Sequence, residues 1–227
     1  MPSLRALKLV RSSIVPRRAL LVIALSTLLL AGCFTGQRPY FGDSNSFPPG
    51  SMSGDPAIDA VLTKLDVAST GPLTAAYTVL TKFGNTTRPA VVVLSPGKRN
   101  VTVDNTRYIQ TETSADTCTL DGSIPCVKGF DAQRISNVGI TVDFYALDAA
   151  KRLRRDAVAK LGPAIGTQDV IGGQPATCVD VTVNGGTAVY CVLNNGLLAK
   201  IDDGDVLIAL TLYGETVDPN AFTLPRS

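Results

Sequence analysis

The chain contains no histidine and no tryptophan, and only two methionines. Without histidine, the Ser-His and Cys-His nucleophile arrangements cannot be built, and the commonest nitrogen ligand for zinc is missing. Aromatic residues make up only 6% of the chain, so an apolar interior would be built mainly of Val, Leu, Ile and Ala. After Gly32 there is no apolar run of the ~20 residues that a membrane-spanning helix needs. Five cysteines form an odd set, so one is left over when the rest pair.

What is present begins with an export signal. Arg5, Lys8, Arg11, Arg17 and Arg18 precede the charge-free run Ala19 to Gly32, which ends in small residues before Cys33. Leu30-Ala31-Gly32-Cys33 resembles the lipobox of bacterial lipoprotein signal peptides. That resemblance implies cleavage before Cys33 and diacylglycerol on its thiol, with palmitate among the acyl groups. An ordinary secretory signal, or a short anchor with an incidental cysteine, is the plainer alternative. Arg17-Arg18 lacks the rest of a twin-arginine motif. Residues 1–32 carry five basic and no acidic side chains, which leaves 16 basic against 19 acidic, a net charge of −3. Nucleic acid is therefore not an expected partner.

Three regions are expected: a signal peptide over 1–32, a flexible tether over 33–54 rich in Gly, Ser, Pro and Asn, and one folded domain over 55–227. Asp55 can cap a helix with Pro56 at its first position, and Ile58, Val61, Leu62 and Leu65 form its apolar stripe. A strand-rich section follows, with turns at Pro96-Gly97 and Asp104-Asn105. Two-residue loops there align Val92 with Val101 and Val101 with Tyr108 on one face, with Asn100, Thr102 and Arg107 on the other. A helix is expected over 143–161, with Phe144, Leu147, Ala150, Leu153, Ala157 and Leu161 at helical spacing and Gly162-Pro163 as its stop. Its other side carries Lys151, Arg152, Arg154, Arg155 and Lys160, read either as a solvated face or as a contact for anionic lipid headgroups.

The last third reads as a meander with turns at Asn184-Gly185, Asn195-Gly196 and Asp203-Gly204. This register collects Val179, Val181, Val183, Tyr190, Val192, Leu197, Ala199, Ile201, Val206, Ile208, Leu210 and Leu212 on one face. Asp180, Lys200, Asp202 and Asp205 fall on the other. It also sets Cys178 opposite Cys191 at a narrow, non-hydrogen-bonded pair, within disulfide reach. Cys118 and Cys126 flank a turn-rich loop and form the second expected bridge. Each bridge adds roughly 2.5–3 kcal/mol on a chain-entropy estimate, and both require an oxidising compartment. Cys33 is then the unpaired cysteine.

No catalytic motif stands up. Ser95-Pro96-Gly97-Lys98 formally matches the acyl-serine motif of penicillin-recognising enzymes, but it lies in a hairpin turn without its companion motifs. Asp202-Asp203-Gly204-Asp205 lacks the spacing and terminal glutamate of an EF-hand. Asn85 and Asn100 sit in glycosylation sequons without consequence in a bacterial lipoprotein. The chain is expected not to be an enzyme, with no cofactor and no metal.

The order of lipobox, tether, amphipathic helix, antiparallel strands, helix and final meander resembles the LolA-like superfamily, in particular actinobacterial envelope lipoproteins of the LppX/LprG kind. The resemblance covers roughly residues 55–225. It implies an α+β fold in which a curved antiparallel sheet, a half-barrel, carries helices on its concave face and holds lipid between them. In that reading Val92, Val101, Tyr108, Phe144, Leu147, Tyr190, Val192, Ile208 and Leu210 line an apolar site on the extracytoplasmic face of the cell membrane. The alternative is an envelope interaction module with a filled core, a protein partner and no ligand.

Overall fold

A computed structural model of the chain describes residues 47–131, 133–134 and 140–224, all within one compact unit, Ser46–Ser227. The expected signal peptide and Cys33 lie outside the described residues.

Helix α1, Pro56–Val67, forms as its sequence dictates. The Asp55 carboxylate accepts from the Ala57 N–H at 3.1 Å, and Ile58, Val61, Leu62 and Leu65 are the buried stripe. The end of the expected tether is also held. Gly50 N–H donates to Asp66, and Ser53 and Gly54 N–H groups donate to Asp59. Ordered contacts therefore start before residue 55, because the acidic side chains of α1 supply acceptors that composition does not reveal.

Eleven strands follow among the described residues: β1 Leu73–Thr81, β2 Thr86–Ser95, β3 Lys98–Val103, β4 Thr106–Gln110, β5 Ala115–Thr119, β6 Val127–Lys128, then β7 Ile165–Ile171, β8 Gln174–Val183, β9 Gly186–Leu193, β10 Leu198–Asp202 and β11 Val206–Gly214. All neighbouring pairs are antiparallel, in the order β6-β5-β4-β3-β2-β1-β11-β10-β9-β8-β7. Two meanders thus become one sheet through the pairing of β1 with β11, and β6 and β7 are its two edges.

Val92 pairs with Val101, Val101 with Tyr108, and Cys178 with Cys191, in the expected registers. The face opposite Val101 is not open, however. Pro219–Phe222 forms a short 3-10 turn whose Ala221 carbonyl accepts from Asn100 Nδ2 at 2.7 Å and from Arg107. Two turns in the second meander differ from expectation. The β9–β10 loop spans Asn194-Asn195-Gly196, and an irregularity between Leu198 and Lys200 restores the register at Ile201–Tyr190. The β10–β11 turn is centred on Gly204-Asp205, so Ile201 faces Ile208. That slip is by two residues, which leaves every side chain on its expected face. Leu212, at the far end of β11, is exposed.

Helix α2 spans Leu147–Ala159, shorter than expected at both ends. Residues 142–146 form turns instead, because Phe144 and Tyr145 are both drawn into the core. Phe144 stacks edge-on to Tyr77 at 5.2 Å, and Asp143 pairs with Arg99. At the other end, Leu161 N–H donates to Thr182 of β8 at 2.8 Å, so the chain has already left the helix. Leu147 and Leu161 are consequently exposed and not part of the apolar stripe. Strand β7 had no signal in the sequence: six of its seven residues are exposed, so the alternation that marks a half-buried strand is absent.

Candidate functional site

The helices contact each other and the second meander, α1 against β7, β8 and β9 and α2 against β8 and β9. Polar groups fix their arrangement. Arg154 of α2, buried, pairs with Asp66 of α1 and donates to the Ser51 carbonyl at 2.8 Å. Lys160 reaches the Asp55 carboxylate at 2.6 Å, and the same carboxylate accepts from Ala164 N–H. Arg152 pairs with Asp148 and Asp203, and Arg155 with Asp156. Of the five basic residues on this helix face, only Lys151 makes no ion pair among the described residues. The face is mostly internally neutralised, which removes the charge that would draw it to anionic headgroups.

The nine residues expected to line an apolar site divide three ways. Val92, Val101, Phe144, Tyr190, Val192, Ile208 and Leu210 belong to the main core, and Tyr108 to a small cluster with Val142. Leu147 lies outside both, 42% exposed, because α2 turns it away from the sheet. The other eight are at most 5% exposed. Exposure this low is what side chains in a close-packed interior have. Two tyrosine hydroxyls of the main core have partners inside it. Tyr77 hydroxyl donates to the Leu198 carbonyl at 2.8 Å, and Tyr190 hydroxyl donates to Asp156 Oδ2 at 2.6 Å.

Asp156 leads to a feature that sequence reasoning missed. A cleft of about 400 Å³ opens where α2 meets the ends of three hairpins, lined by Lys82, Arg155, Asp156, Asn184-Gly185-Gly186, Asp203 and Asp205. Arg155 Nε lies 2.8 Å from Asp156 Oδ1. Asp203, nearly buried, accepts from the Asp205 and Val206 N–H groups at 2.8 Å and from Arg152 at 3.2 Å. Lys82 bonds Asp202 at 2.8 Å and also the Asp203 carbonyl. Burial first, and the bond to Asp156 second, push the Tyr190 phenol well above its ordinary range, so it stays a protonated donor. Lys82 holds the Asp202 carboxyl below its usual value.

This network is electrically compensated within itself. Both oxygens of Asp156 and both of Asp203 are engaged by tyrosine, arginine or backbone N–H groups, which leaves neither carboxylate positioned as a base. The acidic run Asp202-Asp203-Gly204-Asp205 marks part of the cleft in the sequence, but nothing in the spacing of Asp156 marks it out.

Both cysteine pairs are bonded in the structure, Cys118 to Cys126 with Cα atoms 4.2 Å apart and Cys178 to Cys191 at 4.0 Å. The first closes the loop at the β6 edge, where Leu120, Ile124, Val127 and Phe130 are exposed. No helix among the described residues is long and apolar enough to cross a membrane, and no cluster of three potential metal ligands occurs there.

No family model matches the sequence, and no curated protein does. Several solved structures are similar in layout. LprF from Mycobacterium bovis is 17% identical with a TM-score of 0.40, the match covering 74% of this chain and 98% of that one. MucB is 10% identical with a TM-score of 0.46, over 76% of this chain and 64% of that one. A DUF1329 family protein from Desulfovibrio piger is 11% identical with a TM-score of 0.32, over 74% and 97%. Every one of these likenesses is distant, and the function of the chain rests on its own geometry.

Proposed function

We propose that the chain is an envelope lipoprotein, anchored through Cys33 to the extracytoplasmic face of the cell membrane, whose folded domain acts as an interaction module with a filled core. Residues 1–32 are its signal peptide, and residues from Cys33 to about 49 its tether. The observation that carries the filled-core reading is the burial of eight expected lining residues to 5% exposure or less. A lipid carrier earns its affinity by burying methylenes, at ~0.8 kcal/mol each, and needs free volume against those side chains. The edge-on contact of Phe144 with Tyr77 and the bond of Tyr190 to Asp156 support a core without that volume.

The test is mass spectrometry of the protein made in its native host. The anchor predicts an N-terminal peptide beginning at acylated Cys33, and a chain carrying no acyl group there would remove it. The filled core predicts no stoichiometric lipid in an organic extract beyond the anchor itself. Release of one equivalent of an apolar ligand would overturn that part and make the chain a carrier whose sheet and helices separate. In-cell crosslinking should trap an envelope protein reproducibly.

A further inference from the structure

The free edge of the sheet at β7 has a defined hydrogen-bonding complement. The narrow Cys178–Cys191 pair marks the non-hydrogen-bonded position between β8 and β9, so the Cys178 backbone groups point toward β7. The Thr182 carbonyl, of the same parity, accepts from Leu161 N–H on that side. In the β7–β8 register Thr167 faces Cys178, which turns the backbone groups of Ile165, Thr167, Asp169 and Ile171 inward. Those of Gly166, Gln168 and Val170 point out of the sheet.

Two carboxylates close the ends of this row. Ala164 N–H donates to Asp55 at 3.3 Å, and Val170 N–H donates to Asp169 Oδ1 at 2.7 Å. Between them the N–H and C=O groups of Gly166 and Gln168 have no partner among the described residues. Around this window Leu161, Ile165 and Val170 are 63–70% exposed. Natural sheets rarely leave such an edge bare.

We propose that β7 pairs antiparallel with β7 of a second copy of this chain, about a two-fold axis at Thr167. Gly166 then exchanges both hydrogen bonds with Gln168 of the other copy, and the reverse, so the four free groups of each strand are all satisfied. Thr167 meets Thr167, a favourable cross-strand pair. Asp169 faces Ile165, whereas a four-residue slip, which moves the axis to Asp169, would set like charges opposite each other. A longer foreign strand would have to displace the Asp55 and Asp169 caps. A second copy brings a window of the same length and the same complement. This pairing rests on the sheet edge alone and is independent of whether the core is filled.

Two substitutions in the full chain, purified in detergent, test it. Thr167→Cys places the new thiols at a non-hydrogen-bonded pair, ~4.5 Å between Cα atoms, and mild oxidation should give a covalent dimer. Gln168→Pro removes an outward N–H that β7 does not use in its own sheet, where proline is tolerated. It should weaken self-association at least tenfold in sedimentation while leaving the circular dichroism unchanged. A parent chain that stays monomeric up to about 100 μM, with no Thr167→Cys crosslink, overturns the proposal; the high end is chosen because specific weak complexes still form there. A dimer indifferent to Gln168→Pro, or a monomer whose β7 edge is occupied by a different protein, overturns it as well.

Discussion

Arg154 looks in sequence like one of five solvated cations, yet its side chain is 5% exposed and joins the two helices through Asp66. Asp66 Oδ1 is itself buried without a partner, so the carboxylate depends on Arg154 for much of its compensation. Arg154→Ala is therefore expected to cost about 3–5 kcal/mol in a urea denaturation series, as for other broken buried pairs. Lys151→Ala, on the exposed side of the same helix, should change stability by no more than about 0.5 kcal/mol. A second residue-scale effect concerns acid. The bond from Lys160 holds the Asp55 carboxyl below its ordinary value, as Lys82 does for Asp202. A carboxyl depressed in the folded state contributes stability above its unfolded value, near 3.9, and that contribution is lost as pH falls through the folded value. Denaturation midpoints should stay flat above about pH 5 and fall steeply below pH 4, and Asp55→Asn should flatten the acid limb. Helical periodicity located these residues on α2 and ahead of α1. It could not say which charges face one another, because a cation's partner lies on another element.

Elements show where local signals end. The α1 stripe, the Asp55 cap and the two hairpin registers at Val92–Val101 and Cys178–Cys191 follow from spacing and turn chemistry alone. The boundaries of α2 do not, since aromatic packing takes Phe144 and Tyr145 out of the helix and β8 claims Leu161. Strand β7 was invisible because an edge strand exposed on both faces carries no alternation. The β9–β10 turn ties the sheet to α1: Gly196 has φ +83°, and a Cβ there would lie 2.6 Å from the Lys64 carbonyl oxygen. Gly196→Ala should lower the unfolding free energy by more than about 1 kcal/mol in a denaturation series. Gly185→Ala, also at positive φ but in open space, should cost less than Gly196→Ala in the same measurement. Replacing Cys178 and Cys191 together by alanine is expected to cost about 3 kcal/mol on the chain-entropy estimate, read from the same curves.

At the scale of the molecule, pairing of β1 with β11 turns two local meanders into one sheet. Strands at the centre of that order are covered on both sides by neighbours, and those at its ends are not. Native-state hydrogen exchange should therefore be slowest in β1, β2 and β11 and fastest in β6, with β7 as fast as β6 only in the monomer. Equal protection of β7 would signal an occupied edge. By itself the sequence determined the absence of histidine chemistry, the expectation of an export signal ending at Cys33, and the alternating faces of most strands, because these depend on composition and on residues a few positions apart. Only the tertiary structure decided that Arg154 is buried, that Leu147 is turned out to solvent while the other eight residues of the expected lining are buried, and that β7 ends the sheet among the described residues. Each of those outcomes depends on contacts between residues tens of positions apart, and no local pattern in the chain encodes them.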